Sequence, residues 1–185
     1  MAMISFRWTG DGVARLKTAA AALADRGKRD TAFRRAINHT GNKAFTRTKR
    51  ELSKQIGASQ SLILRYGKIR KAKAFGSNLE FQIIAKGGPI PLKYFRARQG
   101  AGGVSASPWN QRKLYHSAFI VPSLRGNAFW RKGSGHLPIK GIAGPNVPKE
   151  MVKDHVAAAF EALVSTDLPA RLEHEIRVLT DGVVS

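Results

Sequence analysis

Near Lys68 the spacing of apolar residues changes, and that change constrains the fold more than any other feature of the chain. Before it they recur at three and four residues, the period of a helix with one buried face; after it they alternate at two, the period of a strand. Val13, Leu16, Ala20 and Leu23 predict a first helix over 12–26, with Arg26 in its last turn and Gly27 ending it. Asp30 or Thr31 is the expected cap of a second helix, whose apolar stripe is Phe33, Ile37, Ala44, Thr48 and Leu52 and whose end falls near Gly57. Ser59 or Ser61 would open a further turn or two through Tyr66.

Beyond the switch, Leu79, Phe81, Ile83 and Ala85 alternate with Glu80, Gln82 and Ile84 behind a turn at Phe75-Gly76-Ser77-Asn78, which predicts a hairpin over 68–86. Further strands are expected at 92–97, 104–107, 117–121 and 127–132, separated by Gly and Pro. Pro138, Pro145 and Pro148 with Gly141 and Gly144 predict an irregular, rigid connector, and Pro148 is suited to open a helix. Met151, Val152, Val156, Ala159, Phe160 and Leu163 make one helical stripe, and Leu172, Ile176 and Leu179 resume it after a break or kink near Asp167 and Pro169. The expected class is therefore α+β: N-terminal helices, a small central antiparallel sheet or half-barrel, and a C-terminal helix or kinked helix pair. A chain of 185 residues suits one domain, divided into a basic helical region 1–67, a β region 68–135, a connector 136–148 and a helical region 149–182.

Charge narrows the function. Lys and Arg number 32 and Asp and Glu 12, a net charge of +20, so a polyanion or an acidic protein surface is the expected partner. The charge is uneven: residues 1–74 hold 18 basic and 4 acidic side chains, residues 75–147 hold 10 and 1, and residues 148–185 hold 4 and 7. Such asymmetry favours head-to-tail self-association, with the acidic end on a neighbour's basic helix, as much as it favours a solvated acidic helix on the chain's own sheet. No cysteine is present, which removes disulfides and thiolate chemistry, and cytosolic assembly is compatible with that. Met1–Thr9 lacks the apolar core of a secretory signal, and no run of about eighteen apolar residues occurs, so a soluble, non-exported chain without a membrane partner is expected.

Enzymatic chemistry finds little to work with. Between Leu52 and Lys149 the only carboxylate is Glu80, whereas carboxylate-dyad and two-metal mechanisms need at least two converging acids. His39, His116, His136, His155 and His174 show no metal-ligand spacing, and neither "RQGAGGVS" nor "KGGPIP" has the spacing of a phosphate loop. No catalytic residue, cofactor or metal site is expected. What remains is basic surface with aromatics between: Arg34, Arg35, Lys43, Arg47 and Arg50 on the second helix, and Lys93, Arg96, Arg98, Arg131 and Lys132 in the β region, as residues facing DNA or a partner. Gly100, Gly102, Gly103 and Trp109 mark an expected interface loop, with Phe95 the aromatic more suited to the core than Tyr94. Tyr94, Phe119 and Phe129 fit a core as well as they fit base stacking.

The succession "IPLKYFRARQGAGGVS" (90–105), "AFI" (118–120), "NAFWRKG" (127–133) and "LPIKGIAGPNVP" (137–148) resembles the minor tail protein Z family of lambda-like tailed phages and prophages, most densely over residues 88–150. The resemblance implies a structural component of the virion that completes the tail at its head-proximal end and joins head to tail. It also implies a homo-oligomeric ring near the DNA channel, with tail and neck proteins as partners and the host cytoplasm as the place of assembly. Non-specific contact with DNA is compatible with such a role. The alternative, from charge alone, is a non-enzymatic basic nucleic-acid-binding protein.

Overall fold

Helix α1 spans Gly12–Ala24 and α2 spans Arg26–Ile56, with only Asp25 between them. The computed structural model describes residues 12–183. Gly27 does not end the first helix, and neither Asp30 nor Thr31 caps the second. The Asp25 carboxylate accepts the backbone N–H of Lys28 at 3.2 Å and caps α2 itself. Backbone bonds cross the junction, Asp25 N to Ala21 O and Arg29 N to Asp25 O, each 3.0 Å, so the chain has no need of a glycine stop. On α1, Ala19 is buried, Leu23 half-buried, and Leu16 and Ala20 exposed; the side chain of Val13 lies outside the described residues. The buried row of α2 is Ala32, Ala36, Thr40, Ala44, Thr48, Leu52 and Ile56, one residue in every four, with Phe33 and Ile37 only half-buried beside it. At 3.6 residues per turn such a row advances about 40° per step, so the buried face winds around α2 instead of forming a straight stripe.

The chain packs as two units. One comprises residues 12–42, 73–81 and 163–183, the other residues 43–72 and 82–162. In the first, α2 holds the segment 73–81 by its backbone. The Asn38 amide donates to Ala74 O at 3.0 Å while its oxygen accepts Ala74 N at 2.9 Å, and Arg34 donates to Gly76 O at 3.2 Å. The turn between closes by mutual backbone bonds of Phe75 and Asn78, 3.1 and 3.0 Å, and leaves the Phe75 ring 85% exposed. Gly41 supplies the flat spot on α2 where the Phe81 ring lies, since a Cβ there would fall 2.3 Å from the ring. Helix α5, Asp154–Leu179, runs through Pro169 without a break, and Thr40 donates to Asp167 at 2.6 Å.

The second unit carries the larger core. Helix α3, Gln60–Gly67, starts at Ser59, whose hydroxyl accepts Leu62 N. Strands β1 (Ile69–Ala72) and β2 (Gln82–Ala85) pair antiparallel as the expected hairpin, Ile69 opposite Ala85. The "KGG" that follows β2 is anchored: Gly87 and Gly88 donate to Gly67 O and Tyr66 O at 2.8 and 2.9 Å and so close the end of α3. A Cβ on Gly87 would lie 1.9 Å from Tyr66 O, so only glycine fits.

Strand β3 is Pro89–Pro91, and the expected strand at 92–97 is instead a 3-10 turn, Leu92–Phe95, ended by Arg96 at φ 53°. The reason is the partnership of Leu92 and Phe95. Residues three apart eclipse in a 3-10 turn, so both enter the core, 0% and 2% exposed, where strand alternation would separate them. This turn packs against β3, β5 (Gly103–Ala106), β8 (Asn127–Arg131) and β10 (Ala143–Asn146).

Among the described residues the strands form four small antiparallel sheets. Besides β1–β2 and β3–β10, strands β4 (Arg98–Gly100), β5 and β6 (Lys113–His116) make one sheet, and β7 (Phe119–Val121), β8 and β9 (Ile139–Gly141) another. The expected interface loop at Gly100, Gly102 and Gly103 is therefore a tight hairpin. Gly103, at φ 132°, is buried beside Val104 and Ala106, and a Cβ on it would fall 2.2 Å from Tyr115 O. The expected irregular connector also holds two strands, β9 and β10. Pro145 of β10 sits where the ladder is sparse: β10 meets β3 only at Ala143–Pro91 and Asn146–Pro89, with a bulge between. Helix α4, Val147–Met151, opens at Pro148 with Asn146 as its cap. Replacing Gly87 by Ala is expected to lower stability by about 2 kcal/mol or more through backbone collision, whereas Gly88→Ala, with no atom within 4 Å of its Cβ, stays near wild type in urea unfolding.

Candidate polyanion and partner surface

The sheet β4–β5–β6 has one buried side and one open side. Register puts Arg98, Ser105 and Leu114 in line across the three strands, while Val104 and Ala106, one step along, are buried. By the same alternation Arg112 and His116 stand on the open side with Arg98, and all three are exposed. Ser105 organises this side: its hydroxyl accepts from Arg112 at 2.8 Å and donates to Arg98 O at 3.5 Å. Leu114 is 49% exposed among the cations, and the glycines of the hairpin tip, Gly100 and Gly102, leave the backbone uncovered. No carboxylate belongs to these strands. Arg112 was not among the expected residues, because strand β6 was not foreseen; the run "QRKLYH" held the signal.

The other expected residues divide by what holds them. Arg96 is exposed at its left-handed position. Lys93 is half-buried and donates to Arg125 O at 2.8 Å, a structural task that withdraws it from the surface. Arg131 lies over the Phe119 ring, 4.9 Å from its centre, and Lys132 is exposed beyond it. Phe119 and Phe129 face each other across β7 and β8 on the side opposite buried Ala128, and both are half-buried. On α2, Lys43, Arg47, Arg50 and Lys54 are exposed at spacings of four, three and four, but Arg47 and Lys54 share the Glu51 carboxylate at 3.1 and 3.3 Å. Arg34 and Arg35 belong to the other unit. Trp109 is half-buried with Lys113 5.2 Å over its ring, and it is not part of a loose loop. It and Asn110 are both left-handed, φ 55° and 58°, which aims the Asn110 amide at Lys54 O, 2.8 Å away, to cap α2.

Four acids are spent on architecture. Asp25 caps α2, Glu51 binds two cations, Asp167 accepts from Thr40, and buried Glu150 accepts from Gln55 at 2.8 Å. Among the described residues no three His, Asp or Glu side chains gather as metal ligands, and no helix is long and apolar enough to cross a membrane.

A tyrosine pair joins α3 to the 3-10 turn. Tyr66 donates to Tyr94 at 3.2 Å. That bond lowers the Tyr94 hydroxyl below the usual tyrosine value, with Lys93 and Arg65 acting in the same sense against partial burial, and it raises Tyr66. Burial raises Tyr115.

Compared with family models, curated proteins and solved structures, the chain matches none.

Two outcomes are expected. In an absorbance titration of the three tyrosines, one phenolate forms below the usual value of about 10 and two above it; Tyr66→Phe raises the first step. Arg98→Gln and Arg112→Gln each weaken binding to duplex DNA of any sequence and reduce the slope of log affinity against log salt by about one.

Proposed function

We propose that this chain is a structural minor tail protein of a tailed phage or prophage, which completes the tail at its head-proximal end and joins head to tail. The observation that carries the reading is the open side of β4–β5–β6, where Arg98, Arg112 and His116 surround an exposed Leu114 without any carboxylate. A surface of that kind suits docking on acidic protein or on phosphate, and an apolar centre within a charged rim is the usual make-up of a protein contact. The sequence resemblance over residues 88–150 supplies the identity of the partners: neighbouring tail and neck proteins, and further copies of the chain in a ring near the DNA channel, formed in the host cytoplasm and retained in the virion. Exposed acids on α5, Glu161 and Glu173, give such a ring an anionic counterpart to the cationic sheet.

A basic nucleic-acid-binding protein without enzymatic activity is the second reading, favoured by the net charge of +20. The two separate on assembled particles. Electron microscopy of particles carrying a tagged chain is expected to place the tag at the head-proximal end of the tail, and deletion of the gene is expected to yield heads and tails that do not join. A chain missing from purified particles, with DNA affinity that vanishes steeply as salt rises, decides for the second reading.

A further inference from the structure

Arg34, Arg35 and His39 on α2 and Arg171 and Glu175 on α5 line one open, polar groove of about 550 Å³ within the first unit. The helical spacing explains the convergence. Arg34, Arg35, Asn38, His39 and Asn42 share one side of α2, and Arg171 and Glu175 lie one turn apart on α5. Glu175, the only carboxylate lining the groove, is 4% exposed and holds one Nη of Arg171. The Nε of Arg171 is buried and has no hydrogen-bond partner. Arg34 keeps its place through Thr31 and Gly76, at 3.0 and 3.2 Å, and Arg35 is exposed and pairs with no described carboxylate.

Three arginines thus line the groove against one carboxylate, which is itself held by Arg171. We infer that this groove is a phosphate-binding site, with Arg35 and Arg34 gripping the oxyanion beside the Arg171 guanidinium. A tetrahedral phosphate has enough oxygens to meet three guanidinium groups at once, where a carboxylate has two. The phosphate is either free or part of a nucleic-acid backbone. The site is separate from the assembly reading: the groove binds phosphate whether or not the chain belongs to a particle.

The test titrates the full-length chain with inorganic phosphate, a short DNA duplex and polyglutamate at matched ionic strength, following the arginine Nε–H resonances. Phosphate or duplex is expected to shift a small set of these signals. Arg35→Gln should weaken that binding about tenfold, by loss of a charge-assisted bond, while the charge-matched Arg70→Gln on β1 leaves it unchanged. Binding of inorganic phosphate with little gain from the duplex assigns free phosphate; much tighter binding of the duplex, still dependent on Arg35, assigns the backbone. No arginine shift with either probe, equal losses in the two variants, or a response to polyglutamate alone overturns the inference.

Discussion

Leu92 and Phe95 hold three of the four sheets to one core. Strands of three to five residues are too short to persist alone, and each sheet here has only two or three. The 3-10 turn that carries these two side chains touches both strands of β3–β10, one of β4–β5–β6 and one of β7–β8–β9, so the burial of a single turn is shared among sheets that do not continue one another. Glycine makes the convergence sterically possible. A Cβ on Gly144 would lie 2.7 Å from the Phe95 ring, as one on Gly103 would strike Tyr115 O. The residues that look like loop formers are therefore the places where backbone meets ring or carbonyl.

The same economy governs charge. The second unit's cations project from strands and from α2, while Glu51, at 13% side-chain exposure, neutralises two neighbours and buried Glu150 accepts from Gln55. Ser105 fixes Arg112 beside the Arg98 backbone without cancelling either charge. A long-range attractive field thus coexists with a locally ordered surface, which is the combination that fast, oriented docking requires.

Much of this was legible in the order of residues. The change of period at Lys68 separates helices from strands, Gly57 ends α2 at φ 75°, Ser59 caps α3, Pro148 opens α4, and Phe95 goes to the core. What was hidden depends on partners distant along the chain. An apolar pair three apart within four residues reads equally as strand or turn, so "LKYF" was settled only by the core that receives both side chains. Pro145 in β10 speaks against a strand locally, yet a sparse ladder tolerates it. Trp109 carries no sequence mark of a left-handed backbone, and Arg171 joins Arg34 and Arg35 only because α5 returns to α2.

The turn at Phe75 has a thermodynamic consequence of its own. Both neighbours of that residue are already tied down, Ala74 by Asn38 and Gly76 by Arg34, and the turn is closed on itself. An aromatic ring mounted on so restrained a backbone surrenders little configurational entropy when it is covered, so whatever comes to cover it retains nearly the whole gain of removing that ring from water.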